Sequence, residues 1–175
     1  GDQIALIREA LRSFRSGKQF DAQTVLSKIG FLKNSGVSAE EFPHSQHFDP
    51  EDAYDDVTEY CYIYYQEKLK FFNAIDFDDI LFLTLKLFNQ NPDVAEVYSK
   101  KFRYIMIDEY QDTNPLQFQI VMKLTTQHNN LCVVGDDDQS IYSFRGADIR
   151  NILDFEKNFP NATVIKLEQN YRSTM

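Results

Sequence analysis

The residues with the most chemistry in them fall in three short polar runs, each following an apolar one. Tyr104-Ile105-Met106-Ile107 leads into Asp108-Glu109-Tyr110-Gln111-Asp112. A carboxylate at the end of a buried strand can hold Mg²⁺, a hard cation that prefers oxygen. A neighbouring carboxylate can orient water and take its proton during attack on a phosphoryl group. Adjacent side chains on an extended segment diverge, so Asp108 and Glu109 suit different tasks. An exposed acidic turn is the plain alternative for the pair taken alone.

The second run, Val134-Gly135-Asp136-Asp137-Asp138-Gln139-Ser140, follows Leu131-Cys132-Val133. Successive carboxylates repel unless they are solvated or near cations. Gln139 brings a neutral amide that both donates and accepts, suited to contacting a terminal phosphate without adding charge. Ile141-Tyr142-Ser143-Phe144-Arg145 comes next. Aromatic faces stack on bases of any sequence, worth ~1–3 kcal/mol per base. Core packing for the rings, and pairing with a nearby acid for Arg145, are the alternatives. The third run ends in Asn170-Tyr171-Arg172. Arginine is the usual clamp on a transferring phosphoryl group, and a flat Tyr beside it can cover a purine.

Positioning these runs is a matter of secondary structure. Three apolar segments, 104–107, 131–134 and 163–167, alternate with helices expected over 115–125 and 148–157. Alternation of this kind predicts a parallel sheet covered by helices, with ligands at the carboxyl ends of the strands. Upstream, the chain reads as helical. Ile4, Ile7, Leu11 and Phe14 recur at helical spacing, and Asp21 caps a second helix through Val25, Ile29 and Leu32 that stops at Gly36. Ser38-Ala39-Glu40-Glu41 is a capping box before a short helical turn. A long helix is expected over 51–72, Asp76 caps another over 77–88, and a short helix follows Pro92. The fold expected is therefore α/β: a parallel sheet with flanking helices after residue 73, and an all-helical subdomain over 1–72.

Composition narrows the class. The chain has 175 residues, 43% of them hydrophobic, with 15 Phe and 10 Tyr, enough to bury a core. No apolar stretch is long enough to span a membrane, and the start lacks the pattern of a secretory signal. The two cysteines, Cys61 and Cys132, lie in apolar runs and are expected to be buried free thiols. A cytoplasmic location is the expectation. The net charge of −9 gives no general basic footprint for nucleic acid, so any DNA contact must come from local geometry and stacking, or from basic surface elsewhere.

Taken in order, the segments resemble the UvrD/Rep helicases of superfamily 1. The matching residues are Asp-Glu-Tyr-Gln-Asp-Thr-Asn at 108–114, Val-Gly-Asp-Asp-Asp-Gln-Ser-Ile-Tyr at 134–142, Arg-Gly-Ala-Asp at 145–148 and Leu-Glu-Gln-Asn-Tyr-Arg-Ser-Thr at 167–174. Asp76-Phe77-Asp78-Asp79-Ile80 fits a segment further upstream. The resemblance implies an ATP-dependent DNA motor: a partial RecA-like domain over 73–175, with residues 1–72 as its helical insertion. It implies ATP and Mg²⁺ as cofactors. Asp108 would hold the metal and Glu109 would be the general base. Gln139 and Arg172 would reach the γ-phosphate, and Tyr171 would stack on adenine. Phe77, Tyr142, Phe144 and Arg145 would contact single-stranded DNA, and the partners implied are single-stranded DNA and its junctions with duplex. Many relatives have Trp where this chain has Phe144, which keeps a stacking face of smaller area.

One family element is missing. The Gly-rich loop ending in Gly-Lys-Thr or Gly-Lys-Ser that cradles phosphates has no counterpart, since the only Gly-Lys is Gly17-Lys18, followed by Gln19. A piece of a longer polypeptide, inactive alone and dependent on the phosphate-binding segment and a second motor domain, is the expectation. A non-motor DNA-binding or protein-interaction module derived from a helicase is the alternative. A two-metal nuclease ranks last, because the acids fall on separate strands without a catalytic Lys or His nearby.

Overall fold

The computed structural model describes residues 1–15, 17–139 and 150–167. Three helices open the chain: α1 (Asp2–Ser13), α2 (Ala22–Asn34) and, after a 3₁₀ turn at Phe42–His44, α3 (Ala53–Phe71). Each packs on the other two. The reason is visible in the spacing. Val25, Ile29 and Leu32 of α2 and Val57, Cys61, Tyr65 and Leu69 of α3 recur every three or four residues. With Ile7 and Ala10 of α1 and Phe42 they form one buried cluster.

The helix ends follow local rules. Asp21 caps α2 by accepting from the Thr24 amide at 2.7 Å. Gly36, at φ +78, closes it, with the Val37 amide reaching back to the Leu32 carbonyl at 2.9 Å and the Gly36 amide to Lys33 at 2.9 Å. Asn73, at φ 49, closes α3 in the same way. The expected capping box is present, with the Ser38 amide donating to Glu41 at 3.0 Å and the Glu41 amide to the Ser38 hydroxyl at 3.3 Å.

Helices α4 (Phe77–Gln90), α5 (Pro92–Lys101) and α6 (Pro115–Thr125) pack on one another. Phe82 and Leu85 of α4 meet Leu116 of α6 in a second, smaller buried cluster. Strands β1 (Ile105–Ile107) and β2 (Leu131–Val133) pair in parallel, Ile105 opposite Leu131 and Ile107 opposite Val133. Two short helices follow, α7 (Arg150–Leu153) and α8 (Phe155–Asn158). Among the described residues the chain is mostly helical with this one small sheet. No helix among them is long and apolar enough to cross a membrane.

Three expectations need correction. Residues 163–167 form no strand; Val164, Ile165 and Leu167 are all exposed. Composition alone does not make a strand, which requires a ladder partner. The single helix expected over 148–157 is two within the described residues, broken at Asp154. There the chain turns so that Phe155 meets Tyr110 edge-on at 5.7 Å. Cys61 is buried, and burial pushes its thiol up to about 11. Cys132 is instead exposed, because it lies on the sheet face opposite Leu131 and Val133, which no described element covers.

The joint between α2 and α4 is ionic and buried. Lys33 is fully enclosed, and its ammonium sits 2.7 Å from Asp76 and 2.8 Å from Asp79. The Tyr65 hydroxyl donates to Asp76 at 2.9 Å and the Gln66 amide to Asp79 at 3.2 Å. The two carboxylates also form the capping box of α4, so the positive helix end supports the charge that Lys33 alone does not balance. Burial acts to raise the Asp76 carboxyl. The Lys33 ammonium, the Asp79 amide and the Tyr65 hydroxyl outweigh it and hold Asp76 below the ordinary range.

Two outcomes follow for the 175-residue chain. Lys33→Met leaves two buried carboxylates without their cation and should cost about 3–5 kcal/mol in urea unfolding; a loss under about 1 kcal/mol would contradict the pairing. Because Asp76 is held low, its contribution to stability is complete above about pH 4 and is lost as pH falls through its native value. Unfolding free energy should therefore drop with acid below about pH 4, less steeply in Asp76→Asn.

Candidate nucleotide site at the strand ends

Parallel pairing sends β1 and β2 out at the same edge, so the loops that follow them are neighbours. The ladder continues one step past each strand. The Val134 amide donates to the Ile107 carbonyl at 2.8 Å, and the Tyr110 amide to Val134 at 2.9 Å. Asp108 and Glu109 sit in the turn between those bonds, both exposed.

The backbone separates the two acids. Glu109 is left-handed, at φ 50 and ψ 44, a conformation that costs a residue with a Cβ about 1–2 kcal/mol. Its amide donates to its neighbour's carboxylate, Asp108 Oδ1, at 2.9 Å. A 3₁₀ turn at Tyr110–Asp112 then leads to α6, closed by the Asp112 amide on the Glu109 carbonyl at 2.9 Å. Strain in such a place is characteristic of residues held for a task.

Gln111 is the buried centre of this turn, 1% exposed. Its Nε2 donates to Glu109 Oε2 at 2.7 Å, and its Oε1 accepts from the Asp136 amide at 3.0 Å. One side chain thus joins the loop after β1 to the loop after β2. Gly135 makes room for it: a Cβ there would lie 2.6 Å from Gln111 Oε1 and 2.8 Å from the Ile152 side chain. The second loop is fastened on itself. Gln139 donates from Nε2 to Asp136 Oδ2 at 2.5 Å, and the Asp138 amide to Asp136 Oδ1 at 3.1 Å.

Behind the turn, Tyr110 is fully buried, and burial pushes its hydroxyl up to about 12. Asn151 of α7 donates to the Thr113 carbonyl at 3.0 Å. Asn114 caps α6, shares a capping box with Gln117, and donates to Asn34 at 2.7 Å. Asn34 in turn donates to Asp78 at 2.8 Å. The end of α2 therefore touches both the start of α4 and the start of α6.

A mainly apolar cleft of about 410 Å³ lies beside the acids, lined by Asp108, Glu109 and Asp112 together with Leu81 of α4 and Phe118 and Val121 of α6. Phe77 lies four residues before Leu81, hence on the same face of α4. It is 87% exposed, although the residues beside it are buried or bonded: Asp76 and Asp79 hold Lys33, and Asp78 holds Asn34. Among the described residues no three His, Cys, Asp or Glu side chains converge as a metal cage. A single exposed carboxylate at Asp108 instead suits Mg²⁺, which keeps several waters and takes few protein ligands.

The structure brings Asp108, Glu109 and Gln139 to one edge, and Phe77 to the helix that lines the cleft. Tyr142, Phe144, Arg145, Tyr171 and Arg172 lie outside the described residues. Sequence reasoning passed over Gln111, Gly135, Asn114 and Asn151. The signal for Gln111 was present: an amide two residues past an acid, in a turn whose aromatic neighbour must be buried.

The chain is a mostly helical α/β fold with acids and an amide at the ends of its parallel strands, the edge at which open α/β sheets bind ligands. The chain belongs to the UvrD/REP helicase N-terminal domain family, whose model matches residues 2–160. It is 48% identical over 174 residues to the ATP-dependent DNA helicase PcrA of Bacillus subtilis, covering 99% of this chain and 23% of that protein. It is 44% identical over 181 residues to the ATP-dependent DNA helicase PcrA of Staphylococcus aureus, with the same coverage. A Staphylococcus epidermidis protein of the same name is 43% identical over 174 residues. The chain thus spans about a quarter of the length of these relatives, 23%.

The Gly135 contact is directly testable. Gly135→Ala should destabilise the chain by about 1–3 kcal/mol in urea unfolding, the usual cost of forcing a methyl into filled space. A change below about 0.5 kcal/mol would show that Gln111 and Ile152 give way freely.

Proposed function

We propose that this chain is part of the first motor domain of an ATP-dependent DNA helicase, one that couples ATP hydrolysis to movement along single-stranded DNA and to unwinding at junctions with duplex. Residues 73–175 form part of a RecA-like ATPase domain, and residues 1–72 its helical insertion. The observation that carries the reading is the pair Asp108 and Glu109 at the end of β1, exposed, set apart by the left-handed turn and at the margin of an open cleft.

In this reading Asp108 holds Mg²⁺, which supplies charge neutralisation at the phosphates when bound. Glu109 takes a proton from the attacking water. Gln139 contacts the γ-phosphate, Arg172 neutralises charge there, and Tyr171 stacks on the adenine. Phe77, Tyr142, Phe144 and Arg145 contact single-stranded DNA. The exposure of Phe77 supports its part: a ring of that size left in water on a rigidly capped helix is available for a base. The net charge of −9 favours stacking over a broad phosphate footprint. The phosphate cradle and second motor domain come from other parts of the same polypeptide, and the location is cytoplasmic.

Within the full-length polypeptide, Glu109→Gln should lower Mg²⁺-dependent ATP turnover by about 10²–10⁴-fold while ATP binding persists. Turnover within tenfold of the parent would overturn the assignment. The 175-residue chain alone should show no turnover and only weak ATP binding; submicromolar affinity by calorimetry would contradict the need for an external cradle. Phe77→Ala should weaken binding to single-stranded DNA by about 1–3 kcal/mol with little change in melting temperature; unchanged affinity would remove Phe77 from the DNA path.

A further inference from the structure

We infer that Gln111 is a positioning residue for hydrolysis: its buried amide fixes one oxygen of Glu109 and yokes that carboxylate to the Asp136–Gln139 turn. The inference rests on the proposed role of Glu109 as general base. Its evidence is independent of that role. Gln111 is 1% exposed, with Nε2 on Glu109 Oε2 at 2.7 Å and Oε1 on the Asp136 amide at 3.0 Å. A flipped amide would set its carbonyl against a carboxylate and its NH₂ against an N–H. The partners therefore allow one orientation only.

A purely structural part for the amide is hard to reconcile with the rest of the turn. The two loops are already joined by the Tyr110 amide on Val134 and the Val134 amide on Ile107. An apolar side chain of equal volume would fill the same space beside Gly135. What the amide adds is a donor aimed at an otherwise exposed carboxylate, on a residue whose backbone is held left-handed.

The consequence for the reaction is atomic. With Oε2 held by Gln111, Oε1 of Glu109 is the oxygen left to accept a proton. Water loses that proton to Oε1 as its oxygen bonds to the γ-phosphorus. The bond from phosphorus to the bridging oxygen breaks, and its electron pair leaves with ADP. The proton then passes from Glu109 to the phosphate released. The same amide contacts the backbone of Asp136, whose carboxylate holds Gln139 at 2.5 Å. The base and the terminal-phosphate contact are thereby mounted on one another, and Gln111 is the side chain that adds to the backbone bonds between the two turns.

The test uses the full-length polypeptide with Mg²⁺, ATP and an oligothymidylate, and compares Gln111→Met, Glu109→Gln and the double variant. Methionine conserves volume and removes the amide. Gln111→Met should lower kcat about 10–100-fold, the scale on which a misplaced reacting group acts, with KM for ATP within about twofold and melting temperature little changed. The double variant should be no slower than Glu109→Gln alone, because Gln111 acts through Glu109. The inference is overturned by a Gln111→Met kcat within twofold of the parent, by losses that multiply in the double variant, or by a loss tracking KM or melting temperature. Turnover retained in Glu109→Gln defeats the reading of Glu109 itself. An inactive Glu109→Gln beside a near-normal Gln111→Met defeats the positioning role alone.

Discussion

The enclosed lysine at the end of α2 governs how the helical half of the chain meets the half that carries the acids. A buried ammonium must be paired, and Lys33 has two partners, both in the first turn of α4. That requirement fixes α4 against α2 and points Asp76 and Asp79 inward. On a helix with consecutive residues about 100° apart, Phe77 then has to face out. The next residue of α2, Asn34, extends the joint by bonding both Asp78 and the cap of α6. The starts of α4 and α6 are thus both held from the end of α2.

The turn itself solves a different problem. In the proposed function two adjacent carboxylates take separate tasks without the strand being lengthened. The left-handed residue at Glu109 does this at a cost in strain, and buried bonds around it offset that cost: the Tyr110 amide on Val134, Thr113 on the Tyr110 carbonyl at 2.7 Å, and Asn151 on Thr113. Tyr110, Gln111 and Thr113 are buried while Asp108 and Glu109 stay exposed. A packed base beneath an open pair of acids suits a site that must hold its geometry while a ligand enters and leaves.

Much of this was legible in the residues. Asp21, Gly36, Ser38 with Glu41, and Asp76 mark helix boundaries by local chemistry, and the structure places caps and stops at each. The strands at Ile105–Ile107 and Leu131–Val133 were readable from short apolar runs ahead of polar loops. Long-range contact was not readable. Nothing local shows that Lys33 is buried, since its nearer partner in sequence, Asp76, lies 43 residues on, or that Gln111 reaches Asp136 across 25 residues. Residues 163–167 have strand composition but no ladder partner among the described residues, and Cys132 has apolar neighbours but a face that no described element covers. In both cases the outcome depends on what packs alongside, which local pattern does not encode.

The central claim is that Asp108 and Glu109 form the metal-holding and water-activating side of an ATP cleft. The most direct measurement is an experimental structure of the full-length polypeptide with Mg²⁺ and a non-hydrolysable ATP analogue. The expected result is Mg²⁺ held by Asp108, directly or through water, with a water between Glu109 Oε1 and the γ-phosphorus and Gln111 still on Oε2. Nucleotide bound away from the ends of β1 and β2, or Mg²⁺ held by other carboxylates with Glu109 turned from the phosphate, would contradict it.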